Sequence, residues 1–436
     1  MLENSGTHAD GASPAIALVV PPPKPASFLQ SLGPGLVTGA ADDDPSGIAT
    51  YSQVGAQFGY GLAWTMLFSF PLMAVIQAVS ARIGCVTGRG IAQNLRCHYS
   101  PWVLRGVVLL LLVANIINLG ADLGAMGAAL GLLIGGPEHV YTALFGLVCI
   151  LLEVLMSYAR YAAALKWTTL SLFAYVAVVF SAHVPWGTAL SNTVIPQLVF
   201  DSPHAMAMVA ILGTTISPYL FFWQAGQEVE EQHRRHVKAL CIAPREAGAE
   251  LARIRTDTIF GMGVSNLVAL FIIIATAATL NAGGVTDIQT SSQAAEALRP
   301  VAGEFTFALF AAGIIGTGML AVPVLAGSAA YAVSEAFRWT EGLDRRPREA
   351  KAFYAVIALT TLGGVALNFT SLDPIKALYW SAVVNGVLAA PLMAVMMVIA
   401  MNPRVMGRLT LPGPMFLLGW IATVVMALVT VGFFWI

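Results

Sequence analysis

Residues 40–53 read AADDDPSGIATYSQ. Three consecutive aspartates interrupt an apolar run, and Pro45 and Gly47 follow at once. A helix cannot cross this point unbroken. Pro45 has no N–H and its ring clashes with the preceding turn, so carbonyls around Ala41 lose their helical partners. Gly47 lets the chain re-enter a helix through unusual dihedrals. The break sets a carboxylate beside bare carbonyl oxygens within a segment, 31–58, that otherwise reads as a membrane span. Each ionisable group at the bilayer centre costs roughly 2.5–3.5 kcal/mol on insertion scales. Carboxylates placed there should face water or a cation.

The surrounding chain has the composition of a bilayer protein. Of 436 residues, 57% are hydrophobic and 10% charged, and mean hydropathy is +0.76; soluble domains average about 25% charged. Apolar stretches fall at 31–58, 60–81, 102–134, 139–158, 167–185, 204–232, 256–280, 304–336, 352–368, 374–400 and 412–435. The reading is an all-α polytopic membrane protein with eleven transmembrane helices. The stretches 102–134 and 304–336 exceed bilayer thickness and should tilt or reach into water. A net charge of −1, without a basic stripe or stacking motif, gives no reason to expect nucleic acid. Cys85, Cys97, Cys149 and Cys241 are scattered and suggest no disulfide framework. Residues 1–27 lack a basic start, and their apolar run of six is too short for a signal peptide. They read as a disordered tail closing in a Pro-rich linker.

Lysines and arginines orient the chain. With the N-terminus in the cytoplasm, 20 of the 22 basic residues fall inside, and only Arg299 and Lys376 lie at the outer side. An error of one span anywhere would scramble that pattern.

A second span is also broken. Residues 205–231 read AMAMVAILGTTISPYLFFWQAGQEVEE, interrupted at Ser217-Pro218-Tyr219. It lies five spans after the first, so the two breaks occupy matching places in two halves of inverted topology. Paired Pro/Gly interruptions of this kind point to a transporter's binding site. The expected organisation is a first repeat over 28–200, a second over 201–400 and an eleventh span in 401–436.

Both breaks offer oxygen. Around the first are Asp44, Asp43 and the Ala41 carbonyl; around the second are the Thr214 carbonyl, the Ser217 hydroxyl and the Tyr219 phenol. Without Cys, Met or His at either break, the set suits hard divalent cations such as Mg²⁺ or Mn²⁺ as transported substrate, with no resident cofactor. Asp44 abuts the break and is the expected direct ligand. Asp43 and Asp42 stand about 100° and 200° away round the helix. Asp43 is expected to act as a water-mediated ligand or vestibule charge, and Asp42 to face solvent or a structural partner.

These segments resemble the Nramp family of divalent-metal transporters. GPGLVTGAADDDPSGIATYSQVGAQFGYGLAW (33–64) is similar to the family's first span, and ILGTTISPYLFFWQ (211–224) to its sixth. The resemblance implies a LeuT-type 5+5 inverted repeat whose first and sixth helices are discontinuous. Departures from the family pattern are specific. Gly47 stands at the metal-binding Asn, Ser217 at the Met, and Tyr219 at the His linked to proton movement. In NIINLGADLGAMGAAL (115–130), Gly124 falls at the usual Glu, and Asp122 lies one place from the usual Asp. This combination is similar to the Nramp-related magnesium transporters. It implies alternating-access import of a partly hydrated Mg²⁺ or Mn²⁺ through the cell (inner or plasma) membrane, without proton coupling. The resemblance also puts Asn385, in the tenth span, near the substrate.

Gln53 and Gln57, and the stripe Gln224, Gln227, Glu228 and Glu231, are placed to line outer and inner vestibules; interhelical hydrogen bonding is the alternative. Glu153 near the end of the fourth span is expected to meet the interface or pair with Arg160. The charged loops 233–256 and 338–351 read as solvated cytoplasmic faces. Three rival functions remain open. A proton-coupled Mn²⁺/Fe²⁺ symporter differs only in coupling. A LeuT-type amino-acid carrier would be disfavoured by three aspartates at the break, and an organic-cation carrier would draw on Tyr219, Phe221, Phe222 and Trp223 as an aromatic cage. For a membrane enzyme there is no nucleophile–base set and no His-Glu-x-x-His motif.

Overall fold

The computed structural model describes residues 33–156, 171–370 and 373–435. The expected tail and linker, and residues 167–170 of the fifth predicted span, lie outside these. The helices are α1 (Pro34–Asp42), α2 (Pro45–Phe58), α3 (Trp64–Thr87), α4 (Ile91–His98), α5 (Pro101–Ile134), α6 (Glu138–Leu155), α7 (Phe173–Ser181), α8 (Trp186–Val194), α9 (Ser202–Thr215), α10 (Pro218–Arg234), α11 (Ala247–Thr276), α12 (Thr306–Phe337), α13 (Lys351–Leu367), α14 (Pro374–Met401) and α15 (Gly413–Trp435). Eight stretches among the described residues are long and apolar enough to cross a bilayer, and α13 adds a shorter apolar helix. The first predicted span is α1 and α2, and the sixth is α9 and α10, each broken where the sequence indicates.

Helix starts follow from local chemistry. Pro34, Pro45, Pro101, Pro218 and Pro374 each open a helix, where the missing N–H is no loss. Asp44, Asp201 and Asp373 accept hydrogen bonds from amides in the first turns of the helices they precede.

Close backbone contacts hold the first broken span in place. A Cβ on Gly35 would lie 2.8 Å from the Thr258 nitrogen, and one on Gly39 would run into the Gly261 carbonyl. Farther along, Gly55 of α2 meets Ile273 and Thr276. Both halves of the span therefore lie directly on α11, the small-residue packing that helices use in lipid. Similarly, Gly213 of α9 seats on Ala382 and Gly386 of α14, and Gly84 of α3 on Ala225 of α10. The long helices α5 and α12 pack along each other beside these pairs.

The segment 233–256 is not a loop throughout. Residues 247–256 are the first turns of α11, held by charge pairing that a hydropathy reading cannot see. Arg253 Nη2 meets Glu228 of α10 at 2.6 Å and its Nε meets Glu250 at 3.0 Å. Arg235 adds a two-pronged contact to Glu250 at 2.9 and 2.7 Å. The next acid, Asp257, accepts from the amides of Gly33, Gly35 and Leu36 at 2.9, 2.7 and 3.1 Å, capping α1. Glu228 is fully buried, so removing its partner leaves an uncompensated charge. Arg253→Met is expected to lower stability by about 3–5 kcal/mol, and adding Glu228→Gln to recover most of that loss. Thermal unfolding of the two variants in detergent checks this; equal losses would show that the ion pair is not what matters.

A cavity of about 650 Å³ is lined by Glu230, Tyr331, Glu335, Glu341 and Arg345 among others. Glu341, in the loop after α12, is pushed up to about 9 by burial, and the Glu335 carboxylate adds to the rise. The folded chain thus keeps a proton that an unfolded chain gives up near pH 4.5. Below that pH both states are protonated and Glu341 costs nothing. Above it folding becomes progressively less favourable as the pH rises toward 9. Glu341→Gln is therefore expected to match the wild type at about pH 5 and to unfold at a clearly higher temperature at about pH 8. A pH-independent difference would contradict it.

Candidate metal centre

The two breaks meet at one hydroxyl. Pro45 leaves the Ala41 carbonyl without an intrahelical donor, and that oxygen lies 3.1 Å from the Tyr219 hydroxyl. Asp44 Oδ2 lies 3.2 Å from the same hydroxyl. A phenol has one proton, so it satisfies one of these two oxygens at a time. Asp44 Oδ1 is committed differently, accepting from the Gly47 amide at 2.7 Å and the Ser46 hydroxyl at 2.9 Å. One carboxylate oxygen caps α2 and the other faces the break. All of these groups are buried.

Asp122, on α5, completes the acidic side. It lies near the Asp44 carboxylate and the Ser46 amide, yet neither of its oxygens reaches hydrogen-bond geometry with a described group. Gly47 packs against the second break, and a Cβ there would lie 3.2 Å from the Thr214 hydroxyl and 3.3 Å from the Asp42 carbonyl. A larger residue at 47 must displace Thr214.

The remaining sequence candidates are placed as follows. Asp42 Oδ2 and Asp43 Oδ1 turn to α11 and share the Ser265 hydroxyl at 2.9 and 3.1 Å. Ser217 turns back along its own chain, donating to the carbonyls of Gly213 and Thr214 at 3.0 and 2.9 Å. Pro218 deprives that Thr214 carbonyl of a helical donor, and Ser217 supplies one. Gln53 accepts from the Ile288 amide at 2.9 Å and lines a cavity of about 380 Å³. Gln224 accepts from Thr38 of α1 and reaches Glu228 at 3.5 Å, tying α10 to the Arg253 network. Asn385 is buried in α14 with neither amide atom hydrogen-bonded. Trp223 packs on Gly327 and edge-on to Tyr331. Glu153 is buried on α6 without a hydrogen bond among the described residues, and Arg160 lies outside them.

Sequence reasoning missed Ser46, Ser265, Arg253 and Asp257. Ser46 was legible as the residue after an Asp-Pro N-cap. The other three sit on α11, whose relation to α1 no periodicity reveals.

Among the described residues no three His, Cys, Asp or Glu side chains converge as a metal cluster. A cation at the break would take Asp44 Oδ2 and the Ala41 carbonyl, with the rest of its shell from hydroxyls and water. That donor set suits a hard ion that keeps several waters.

Two interrupted helices whose bare ends meet between long apolar helices define a membrane transporter of LeuT type. The Nramp profile, described as "Natural resistance-associated macrophage protein-like", matches residues 35–436; the chain belongs to the Nramp family. Its relatives include the divalent metal cation transporter MntH of Verminephrobacter eiseniae, 28% identical over 383 residues covering 83% of each chain. MntH of Xanthomonas campestris is 28% identical over 445 residues, covering 97% of this chain and 94% of that one. Among solved structures, the Eremococcus coleocola manganese transporter, in complex with an aromatic bis-isothiourea compound, superposes with a TM-score of 0.72 at 18% identity. That match covers 94% of this chain and 88% of the other. The nucleobase-cation-symport-1 transporter Mhp1, in a closed conformation, gives 0.55 at 15% identity, covering 93% and 92%. Both share the fold.

Proposed function

We propose that this chain imports partly hydrated divalent cations, Mg²⁺ and Mn²⁺, by alternating access without proton coupling, as in the magnesium-transporting branch that its breaks resemble. The observation that carries the reading is the convergence of Asp44 Oδ2 and the Ala41 carbonyl on the Tyr219 hydroxyl. The phenol proton serves one of these oxygens at a time. An arriving cation takes both and turns the phenol into a lone-pair donor to the ion or its water. Asp44 binds directly. Thr214 and Gly47 border the ion, and Gly47 brings no side-chain ligand where the family's Asn would contribute one. Asp43 with Ser265 stands behind the site, Gln53 lies in the outer vestibule, and Gln224 with Glu228 lies on the inner side. The relatives named above are divalent-metal and manganese transporters, which supports the cargo class. The two repeats (28–200 and 201–400), the cytoplasmic N-terminus and residence in the inner or plasma membrane belong to the same proposal.

A second reading, proton-coupled symport, draws on Asp122, a carboxylate near Asp44. Proteoliposomes at fixed membrane potential, loaded with a pH-sensitive dye and given Mg²⁺ or Mn²⁺ separately, divide the two. Uptake of both ions at constant internal pH is the expected result. Internal acidification in step with uptake selects the symport, and no uptake of either ion removes the divalent-cation reading.

A further inference from the structure

Asn115, Asn118 and Asp122 occupy positions i, i+3 and i+7 of α5 and so share one helix face. All three are completely buried. Among the described residues, neither amide atom of Asn118 is hydrogen-bonded, and the oxygens of Asp122 have only the Ser46 amide near them, outside hydrogen-bond geometry. Asn115 donates to the Leu325 carbonyl at 2.8 Å and the Ser328 hydroxyl at 2.6 Å, while its own oxygen is unpartnered. Buried polar atoms that the protein leaves unpaired are satisfied by water. Here three such side chains lie along one helix face.

The ends of the row give it direction. At its upper end Asp122 lies near Asp44. At its lower end Asn115 holds Ser328 of α12. Three residues further along α12, Tyr331 lines the cavity of about 650 Å³. The indole of Trp223 lies against the same stretch of α12. It meets Tyr331 edge-on at 6.2 Å, and a Cβ on Gly327 would come within 2.7 Å of its ring. Tyr331 is in turn held by Gln227 at 3.2 Å, by Glu230, and by the Phe353 ring at 5.1 Å.

We propose that Asp122, Asn118 and Asn115 form a transit site for the hydrated cation on its way from Asp44 to the cytoplasm, with Trp223 and Tyr331 as the barrier that closes it. The proposal rests on the divalent-cation reading above. Its chemistry fits passage rather than capture. Amide oxygens accept from the waters of a hydrated ion, and Asp122 supplies a single charge. A row of carboxylates would hold a divalent ion too firmly to release it.

Asn118→Leu keeps the size of the side chain and removes its hydrogen bonding. In calorimetry with Mn²⁺ on purified protein, the variant is expected to bind as the wild type does. In proteoliposomes its Mn²⁺ uptake should fall about tenfold or more, as for loss of an outer-shell partner. Uptake equal to the wild type overturns the transit site, and loss of binding together with uptake assigns Asn118 to the Asp44 centre instead. A second variant covers failure to fold. Asn118→Cys, with Cys85, Cys97, Cys149 and Cys241 replaced by serine, is treated with a membrane-impermeant thiol reagent from the cytoplasmic side. The expected result is modification that Mn²⁺ slows and Trp223→Ala speeds. A thiol unreactive in both backgrounds overturns the proposal. A wild type that neither binds nor transports Mn²⁺ removes the cargo reading itself, and is distinguished by failing before any variant is compared.

Discussion

Asp44→Asn should leave a folded protein that no longer transports. The two oxygens of Asp44 have separate duties, and asparagine divides them. Its side-chain oxygen can still accept from the Gly47 amide, now at 2.7 Å, since asparagine caps helices as well as aspartate does. What it cannot supply is a charged oxygen at the position facing Tyr219. Loss of an outer-shell partner already lowers metal affinity about 10–100-fold, so loss of Asp44 as the proposed charged direct ligand is expected to cost at least the upper end of that range. Asp44→Ala removes both duties. It should abolish uptake and also cost about 1 kcal/mol of stability through the lost cap. Mn²⁺ and Mg²⁺ uptake, measured beside thermal unfolding, reads the two effects separately. If Asp44→Asn transports near the wild-type rate, the ion is not held by this carboxylate, and Asp122 becomes the next candidate.

How much of this was legible beforehand depends on whether a feature is local. The breaks at Asp44-Pro45 and Ser217-Pro218 are covalent facts about missing N–H groups, and both helices stop where the prolines require. The bare Ala41 carbonyl follows from the same rule. The roles of the three aspartates were only half legible. Helical spacing sends Asp42, Asp43 and Asp44 in different directions, but it cannot say that Ser265 waits for the first two or that Asp122 lies near the third. Those partners come from α11 and α5, more than 200 and about 80 residues away, and only packing brings them near. Ser217 shows the limit from the other side. Its hydroxyl looked available because its position beside the break was known, yet a freed carbonyl one turn back claimed it first. A residue's nearness to a break is readable from sequence, and the competition for its hydrogen bond is not.

The contact that positions the Ala41 carbonyl makes the second strong prediction. Gly39 lies two residues before Ala41, and a Cβ added to it would penetrate the Gly261 carbonyl of α11. The obstacle is backbone, so no rotamer change can make room; α1 and α11 must separate. Overpacking a core costs about 1–3 kcal/mol when side chains can yield, and more when they cannot. Gly39→Val is therefore expected to give no monodisperse folded protein in detergent. Gly39→Ala is expected to fold with a sharply lowered unfolding temperature and little uptake, because moving α1 carries Ala41 away from the Tyr219 hydroxyl 3.1 Å distant. Gly106 supplies the control. It lies in α5 with nothing within 4 Å of an added Cβ, and alanine there should stabilise the helix by about 0.5–1 kcal/mol. Opposite signs at the two glycines would show that the α1–α11 contact, and not helix propensity, fixes the first break. A Gly39→Ala protein with wild-type unfolding and uptake would mean that α1 can shift on α11 without disturbing the carbonyl, and the site would then have to be held from the Tyr219 side.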